Sequence, residues 1–267
     1  MTKPHFIPEI TDDYVQMHEL YLVPAIYAQG AHWTIDLAEI YLGHDVLDVG
    51  CNTGVLARAA KMETGSTGRV VGLDSSEKML ESARKHPSGV DWQAGSVSVL
   101  PFADNQFDRV ICQFSLMFIS SRATTIKEML RVCKPDGLVV LSVWAPMNHS
   151  MAYSALVNLV RKHAGEHVAS KVSSPWSLGA PGAVDALLLL AGVNEYHCHE
   201  RVGHAPFPSI KSFVDTHLQL VGELEKMDKE VYQNLLNAAY IDLRRFLTPK
   251  GQLVAQLDVE IFIVSDD

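Results

Sequence analysis

The residues best suited to chemistry lie in VLDVGCNTGVLARAA, Val46 to Ala60. Gly50 and Gly54 follow an apolar run ending in Asp48 and Val49, and Cys51, Asn52 and Thr53 stand between them. Glycine permits a tight turn and lets the main chain approach a ligand. A strand that turns at once into a helix presents backbone N–H groups to a nucleotide. Asp74 ends a second apolar run, GRVVGLD, 24 residues after Gly50. At that distance an acidic side chain can accept hydrogen bonds from ribose hydroxyls. Two glycines alone are common in turns that bind nothing; Asp74 at the right place makes a nucleoside site the better reading.

The glycine spacing narrows the ligand. A dinucleotide turn asks for glycines at 50, 52 and 55, and this chain has Gly50, Asn52 and Val55. That disfavours a nicotinamide oxidoreductase. The phosphate-binding pattern G-x-x-x-x-G-K-[ST] is absent as well. The expected ligand is a nucleoside without phosphates. Asn52 is tolerable in such a turn, because asparagine readily takes positive φ and its amide can hydrogen-bond a ligand.

The elements that must hold these residues alternate. HDVLDVG, GRVVGLD, GVDWQAG, FDRVICQF and LVVLSVW (Leu138–Trp144) read as strands. VLARAAKM, SSEKMLESARKH and TTIKEMLRVCKPDG read as helices. The second has serines at its start and basic residues at its end. The third carries Ile126, Met129, Leu130 and Cys133 on one face and stops at Pro135 and Gly137. Such alternation predicts a parallel sheet covered on both faces. After Trp144 the rhythm changes. Segments 148–178 and 209–248 read as helical insertions, each too short for its own core, and so as caps over the strand ends of a single 1–267 domain. In the second, the stripe from Leu235 to Leu247 reads as core. NEYHCHERV and the closing LVAQLDVEIFIVSD read as strands.

Composition excludes several classes. The 267 residues carry a net charge of −9 with no Lys/Arg run, which suits neither nucleic acid nor an anionic membrane. The longest apolar stretch, AVDALLLLAGV, falls short of a membrane span. The N-terminus lacks a signal-peptide core. Four cysteines without a CxxC pair, and His197 and His199 without an HExxH pattern, give no metal site. These readings point to a cytoplasmic protein with a small-molecule substrate. Oligomeric state is not encoded in any of these motifs.

Four stretches in order resemble class I S-adenosylmethionine-dependent methyltransferases of the small-molecule, ubiquinone/menaquinone-biosynthesis type. VLDVGCNTG is similar to that family's glycine motif and GLDSSEKMLESAR to its ribose motif. WQAGSVSVLPFADNQFDRVICQFSLMFI and EMLRVCKPDGLVVLSVW resemble its later strand regions. The resemblance implies a Rossmann-like doubly wound α/β sheet of seven strands, order 3-2-1-4-5-7-6, with the last strand antiparallel. It implies S-adenosyl-L-methionine as cofactor and S-adenosylhomocysteine as product. By the same resemblance Asp48 lies near the methionyl amino group and Gly50, Cys51, Asn52 and Gly54 line the methionyl part. Asp74 takes the ribose, Ser75 and Met79 flank the adenine, and Ser96 and Val97 read its edge. Gln113 approaches the methionine through its backbone.

The family often has aspartate at position 96, so serine loses charge assistance there, about 1 kcal/mol. An N-terminal lid over 1–35 would bring Tyr14, His18 and Tyr21 to the acceptor, with Tyr27 and Trp33 as further walls, and Trp144 would line its pocket. No catalytic base is assigned. The implied activity is in-line methyl transfer to a small molecule, with O-, N- and C-methylation all open. The alternative is a protein of the same fold that binds the cofactor without transfer.

Overall fold

The computed structural model describes residues 6 and 8–265. Its strands are β1 (Asp45–Val49), β2 (Arg69–Asp74), β3 (Asp91–Ala94), β4 (Phe107–Gln113), β5 (Cys133–Trp144), β6 (His197–Phe207) and β7 (Leu253–Val264). They form one sheet of order β3-β2-β1-β4-β5-β7-β6. β1 to β5 pair in parallel, and β7 runs antiparallel to both β5 and β6. This is the expected sheet and strand order. Val46, Leu47, Val49, Val110 and Ile111 are fully buried, as parallel strands covered on both faces require.

The α-helices are α1 (Asp12–Met17), α2 (Ala28–Ala38), α3 (Val55–Thr64), α4 (Glu77–Arg84), α5 (Arg122–Val132), α6 (Met151–Ala164), α7 (Glu166–Val172), α8 (Ala183–Ala191), α9 (Ile210–Leu220) and α10 (Lys229–Asp242). α2 packs with α3, and α5 packs with α8. The crossover β1–α3–β2 runs outward one way and β4–α5–β5 the other. Right-handed crossovers in opposite directions put their helices on opposite faces. Strand order reverses between β1 and β4, and that leaves a crevice at their carboxyl ends.

Three boundaries differ from the sequence reading. β5 starts at Cys133, not Leu138. The residue before a proline is biased away from helix, and Cys133 already pairs with Phe107 before the register shifts ahead of Arg109 and Leu138. Cys133 therefore leaves the helical face it was expected to share. The first helical insertion, 148–178, is not continuous: it breaks at Gly165, whose φ is +89°, between α6 and α7. The third lies in the N-terminal segment, read as lid helices, where a wider helix joins α1 to α2. His18–Tyr27 winds as a π-helix with Pro24 inside it, a wide turn found often at functional sites.

The helices of the two insertions pack on one another: α6 against α7 and α10, and α9 against α10. α1 bridges from α4 to α9, and Asp12 pairs with Lys78 of α4 at 2.8 Å. Of the predicted stripe, Leu235, Leu236, Ala239 and Leu243 are buried, and Phe246 and Leu247 are half-buried. Among the described residues no helix is long and apolar enough to cross a membrane.

Candidate active site

The turn after β1 is held almost entirely by its own chain. The N–H groups of Gly50 and Cys51 both donate to Leu73 O, at 2.8 and 3.0 Å, which locks the turn to the end of β2. Gly50 (φ +72°), Asn52 (φ +51°) and Gly54 (φ +84°) all occupy the left-handed region. A Cβ on Gly50 would lie 2.7 Å from Ser115 Cβ, and one on Gly54 would lie 2.2 Å from the Trp92 ring. Both glycines are therefore fixed by conformation and by packing. Asn52 takes the positive φ that the sequence reading required of it. Its side chain does not wait for a ligand: Nδ2 donates to Gly50 O (3.0 Å) and to Ser115 Oγ (3.1 Å). Ser115 in turn donates to Gly50 O at 2.7 Å. These bonds cross the switch point and tie β1 to the segment after β4.

Asp74 stands across the same turn. Its Oδ2 accepts from Asn52 N (2.9 Å) and its Oδ1 from Ser76 N (2.8 Å). Burial pushes this carboxyl up, and the N–H donors of Ser76, Asn52 and Ser75 pull it back. Asp48, also buried, is pushed up to about 8, first by burial and then by the charge of Asp74, against one backbone hydrogen bond from Ala57. Its Oδ2 has no partner. The Cys51 thiol is buried, pushed well above its ordinary value, and bonds only weakly to Asn52 O.

The residues expected on the adenine side are less uniform. Ser75 is exposed and Met79 is buried on the inner face of α4. Ser96 is exposed, and its Oγ accepts from Ser98 N at 3.2 Å. The acceptor expected for the adenine edge thus caps a local turn, as serine hydroxyls commonly do. Val97 is partly buried against the core. Gln113 is tied to the protein through backbone and side chain. Its carbonyl accepts from Ser115 Oγ (3.2 Å) and its Nε2 donates to Tyr27 O (2.8 Å), while Oε1 is buried without a partner.

Tyr14, His18 and Trp144 are all buried at this end of the sheet, but not in one place. His18 sits against the turn, with Nδ1 3.4 Å from Thr53 Oγ1 and its ring 4.6 Å from Tyr27. Burial lowers its imidazole to about 4. Tyr14 and Trp144 line a second space, together with Tyr27, Phe118 and His217. Tyr21 is excluded from it and packs half-buried against the core. From the same π-helix Leu22 and Tyr27 reach the chamber. Trp33 also lies elsewhere, beside Gly203. Phe114 follows β4 at φ +50°, a strained conformation for a bulky residue. Its ring is clamped edge-on by Tyr27 at 5.7 Å and Trp144 at 6.2 Å.

The comparisons with known proteins agree with this geometry. The sequence model for a methyltransferase domain matches residues 47–141, from β1 through most of β5. The chain is 31% identical over 175 residues to the ubiquinone/menaquinone biosynthesis C-methyltransferase UbiE of an Enterobacter species, covering 62% of this chain and 69% of that one. It belongs to the class I S-adenosylmethionine-dependent methyltransferases. It is also 30% identical over 169 residues to a malonyl-[acyl-carrier protein] O-methyltransferase of Erwinia pyrifoliae, covering 58% of this methyltransferase chain and 63% of that relative. Against other curated methyltransferases it spans about half of their length, 52% for one from Pseudomonas putida. The YcgJ protein of Bacillus subtilis shares the fold, with a TM-score of 0.60 at 20% identity over 90% of this chain and 99% of that one.

Three residues of this methyltransferase's site escaped the sequence reading. Ser115 was hidden in CQFSLMF, although a serine just past a strand at the switch point was the available signal. Phe118 lies in the same run. His217 lies in the insertion helix SIKSFVDTHLQL, where a lone histidine on an apolar face gives no signal of its own.

Proposed function

We propose that this chain transfers a methyl group from S-adenosylmethionine to a small-molecule acceptor by in-line displacement. The observation that carries the reading is the Asp74 carboxylate at the end of β2 hydrogen-bonded to Asn52 N–H of the turn after β1, in a chain of this family. The donor and acceptor chemistry fits the cofactor. Asp48 Oδ2 and Gln113 Oε1 are buried acceptors without partners, suited to the methionyl ammonium. Asp74 keeps a lone pair on each oxygen for ribose hydroxyls. Gly50, Cys51, Asn52 and Gly54 form the cradle for the methionyl part. Ser75, Met79, Ser96 and Val97 remain our candidates for the adenine, with Ser96 limited to donating its hydroxyl or to a remaining lone pair.

The bound cofactor supplies a methyl already activated by its sulfonium charge. The chain must align an acceptor behind that methyl and keep water out. Of segment 1–35, residues 1–5 and 7 lie outside the described residues; its described part serves as a lid and the helices of 148–178 and 209–248 as a cap, which is supported by α1 bridging α4 and α9. Tyr14 and Trp144 line the acceptor side; we assign His18 to the cofactor side and leave Tyr21 out. The test is calorimetric titration with S-adenosylhomocysteine. The wild type should bind and Asp74→Ala should bind at least 10-fold more weakly, the loss of a charged hydrogen-bond acceptor being about 1.5–3 kcal/mol. Absence of binding by the wild type sinks the proposal.

A further inference from the structure

Two groups stand out among the buried polar atoms without partners. Asp48, Gln113 and His18 belong to the crevice. Trp144 Nε1, Trp176 Nε1, Tyr153 OH, Thr216 Oγ1 and His217 Nε2 belong to an aromatic cluster between the end of β5 and the insertion helices. Trp144 meets Trp176 edge-on with ring centroids 4.5 Å apart, and Tyr153 packs beside Trp144, Trp176, Phe213 and His217. Buried polar groups are normally satisfied. Several orphans in one cluster, beside a cavity, indicate a place built for a polar part of a ligand.

His217 is the one lone-pair nitrogen in this cluster. Its Nδ1 lies 2.6 Å from Phe213 O on its own helix. A carbonyl only accepts, so Nδ1 carries the hydrogen and Nε2 keeps its lone pair. His217 is 7% exposed and lines the chamber with Tyr14, Tyr27, Phe118 and Trp144. No carboxylate, lysine or arginine lines that chamber among the described residues. A protonated amine would bring in a charge with nothing to balance it, which is costly; a neutral hydroxyl would not. The chamber, about 50 Å³, admits only the reacting end of a molecule. It shares Phe6 and Ser174 with a groove of about 1130 Å³ that has room for the rest.

We propose that His217 is the proton acceptor of the reaction and that the chamber receives a phenol-type hydroxyl as the methyl acceptor. The inference rests on the methyltransferase reading. The hydroxyl oxygen forms the new O–CH3 bond as the S–CH3 bond breaks, and that bond's electron pair returns to sulfur. The hydroxyl proton moves to His217 Nε2. The site holds one positive charge before and after, first on the sulfonium and then on the imidazolium, so a low-dielectric interior is not asked to create charge. Burial lowers the imidazole to about 4, which keeps it neutral and ready at pH 7. The titratable groups around it are Tyr153 of α6 and, across the chamber, Tyr14 and Tyr27. Burial pushes all three phenols up, so they stay neutral. The charged pair Lys211–Asp215, on the same helix, is bonded together and to Tyr232 of α10 rather than to His217.

The test uses the full chain with a panel of simple phenols and amines. His217→Gln should lower kcat for phenol methylation at pH 7 by roughly 100-fold or more while S-adenosylhomocysteine affinity stays within threefold. The wild-type rate should be flat from pH 6 to 9. The variant rate should climb about tenfold per pH unit over the same range, because only phenolate reacts without a base, and phenols ionise near pH 10. Independently of turnover, nitrogen-15 NMR of the cofactor-free wild type should show His217 as the Nδ1-protonated neutral tautomer from pH 6 to 8. That measurement decides the matter if the variant does not fold or if no compound in the panel reacts. A protonated Nε2, a variant with wild-type kcat and pH profile, or methylation of amines and no phenols would each overturn the proposal. Failure of the wild type to bind S-adenosylhomocysteine would instead remove the methyltransferase reading beneath it.

Discussion

The two halves of the site are built on opposite principles. Around Gly50–Gly54 nearly every polar group is spent inside the protein: Gly50 and Cys51 on Leu73, Asn52 on Gly50, Ser115 and Asp74. In the chamber Trp144 Nε1 and His217 Nε2 have no partner, and behind them Tyr153 OH and Trp176 Nε1 have none either. The first half gains its shape before any ligand arrives, which reduces the ordering cost of binding. The second half leaves its hydrogen-bonding capacity open, so a ligand that supplies the missing partners is favoured over one that does not.

The contrast can be broken most severely at Gly54. Gly54→Val puts a β-branched residue at φ +84°, against the Trp92 ring. Left-handed strain and overpacking together cost roughly 2–6 kcal/mol, a large share of the roughly 5–15 kcal/mol that holds a domain. A sharp fall in the urea midpoint is expected. A midpoint near wild type would mean the turn is not rigidly preformed.

A smaller effect is expected at Asn52. Asn52→Val should weaken S-adenosylhomocysteine binding at least 10-fold, from strain of about 1–3 kcal/mol. Asn52→Gly keeps the conformation and loses only the amide bonds to Gly50 and Ser115. It should bind within about threefold of wild type and lose about 1 kcal/mol of stability. Equal calorimetric affinities for all three proteins would make Asn52 a bystander.

A third effect is a pH dependence at Asp48. Burial pushes its folded carboxyl up to about 8, while the unfolded one titrates near 3.9. Below about pH 4 both states hold the proton and nothing is lost. Between about pH 4 and pH 8 the unfolded chain releases it first, so Asp48 lowers stability progressively. Asp48→Asn should therefore gain melting temperature relative to wild type progressively as pH rises from 4 to 8. A gain that shrinks with rising pH would contradict the burial argument.

The cofactor half was legible because its parts are local. A strand, a turn and a helix follow one another within VLDVGCNTGVLARAA, and Asp74 ends the next strand, so spacing along the chain carried over to spacing in the fold. What the sequence did not show is where side chains find nearer partners. Ser96 accepts from Ser98, and Gln113 sends its amide to Tyr27. Residues 18–27 wind as a π-helix, which no 3.6-residue count anticipates.

By itself the sequence determined the alternating strands and helices of a parallel sheet and the turn at its switch point, because periodicity and glycine placement act over short range; the number and order of the strands came from the resemblance to a family. Only the tertiary structure decided the chamber. Tyr14, Tyr27, Trp144 and His217 come from an N-terminal helix, a π-turn, a strand end and an insertion helix. Their meeting depends on how those elements pack, and His217 became a lone-pair nitrogen only when its own helix claimed Nδ1.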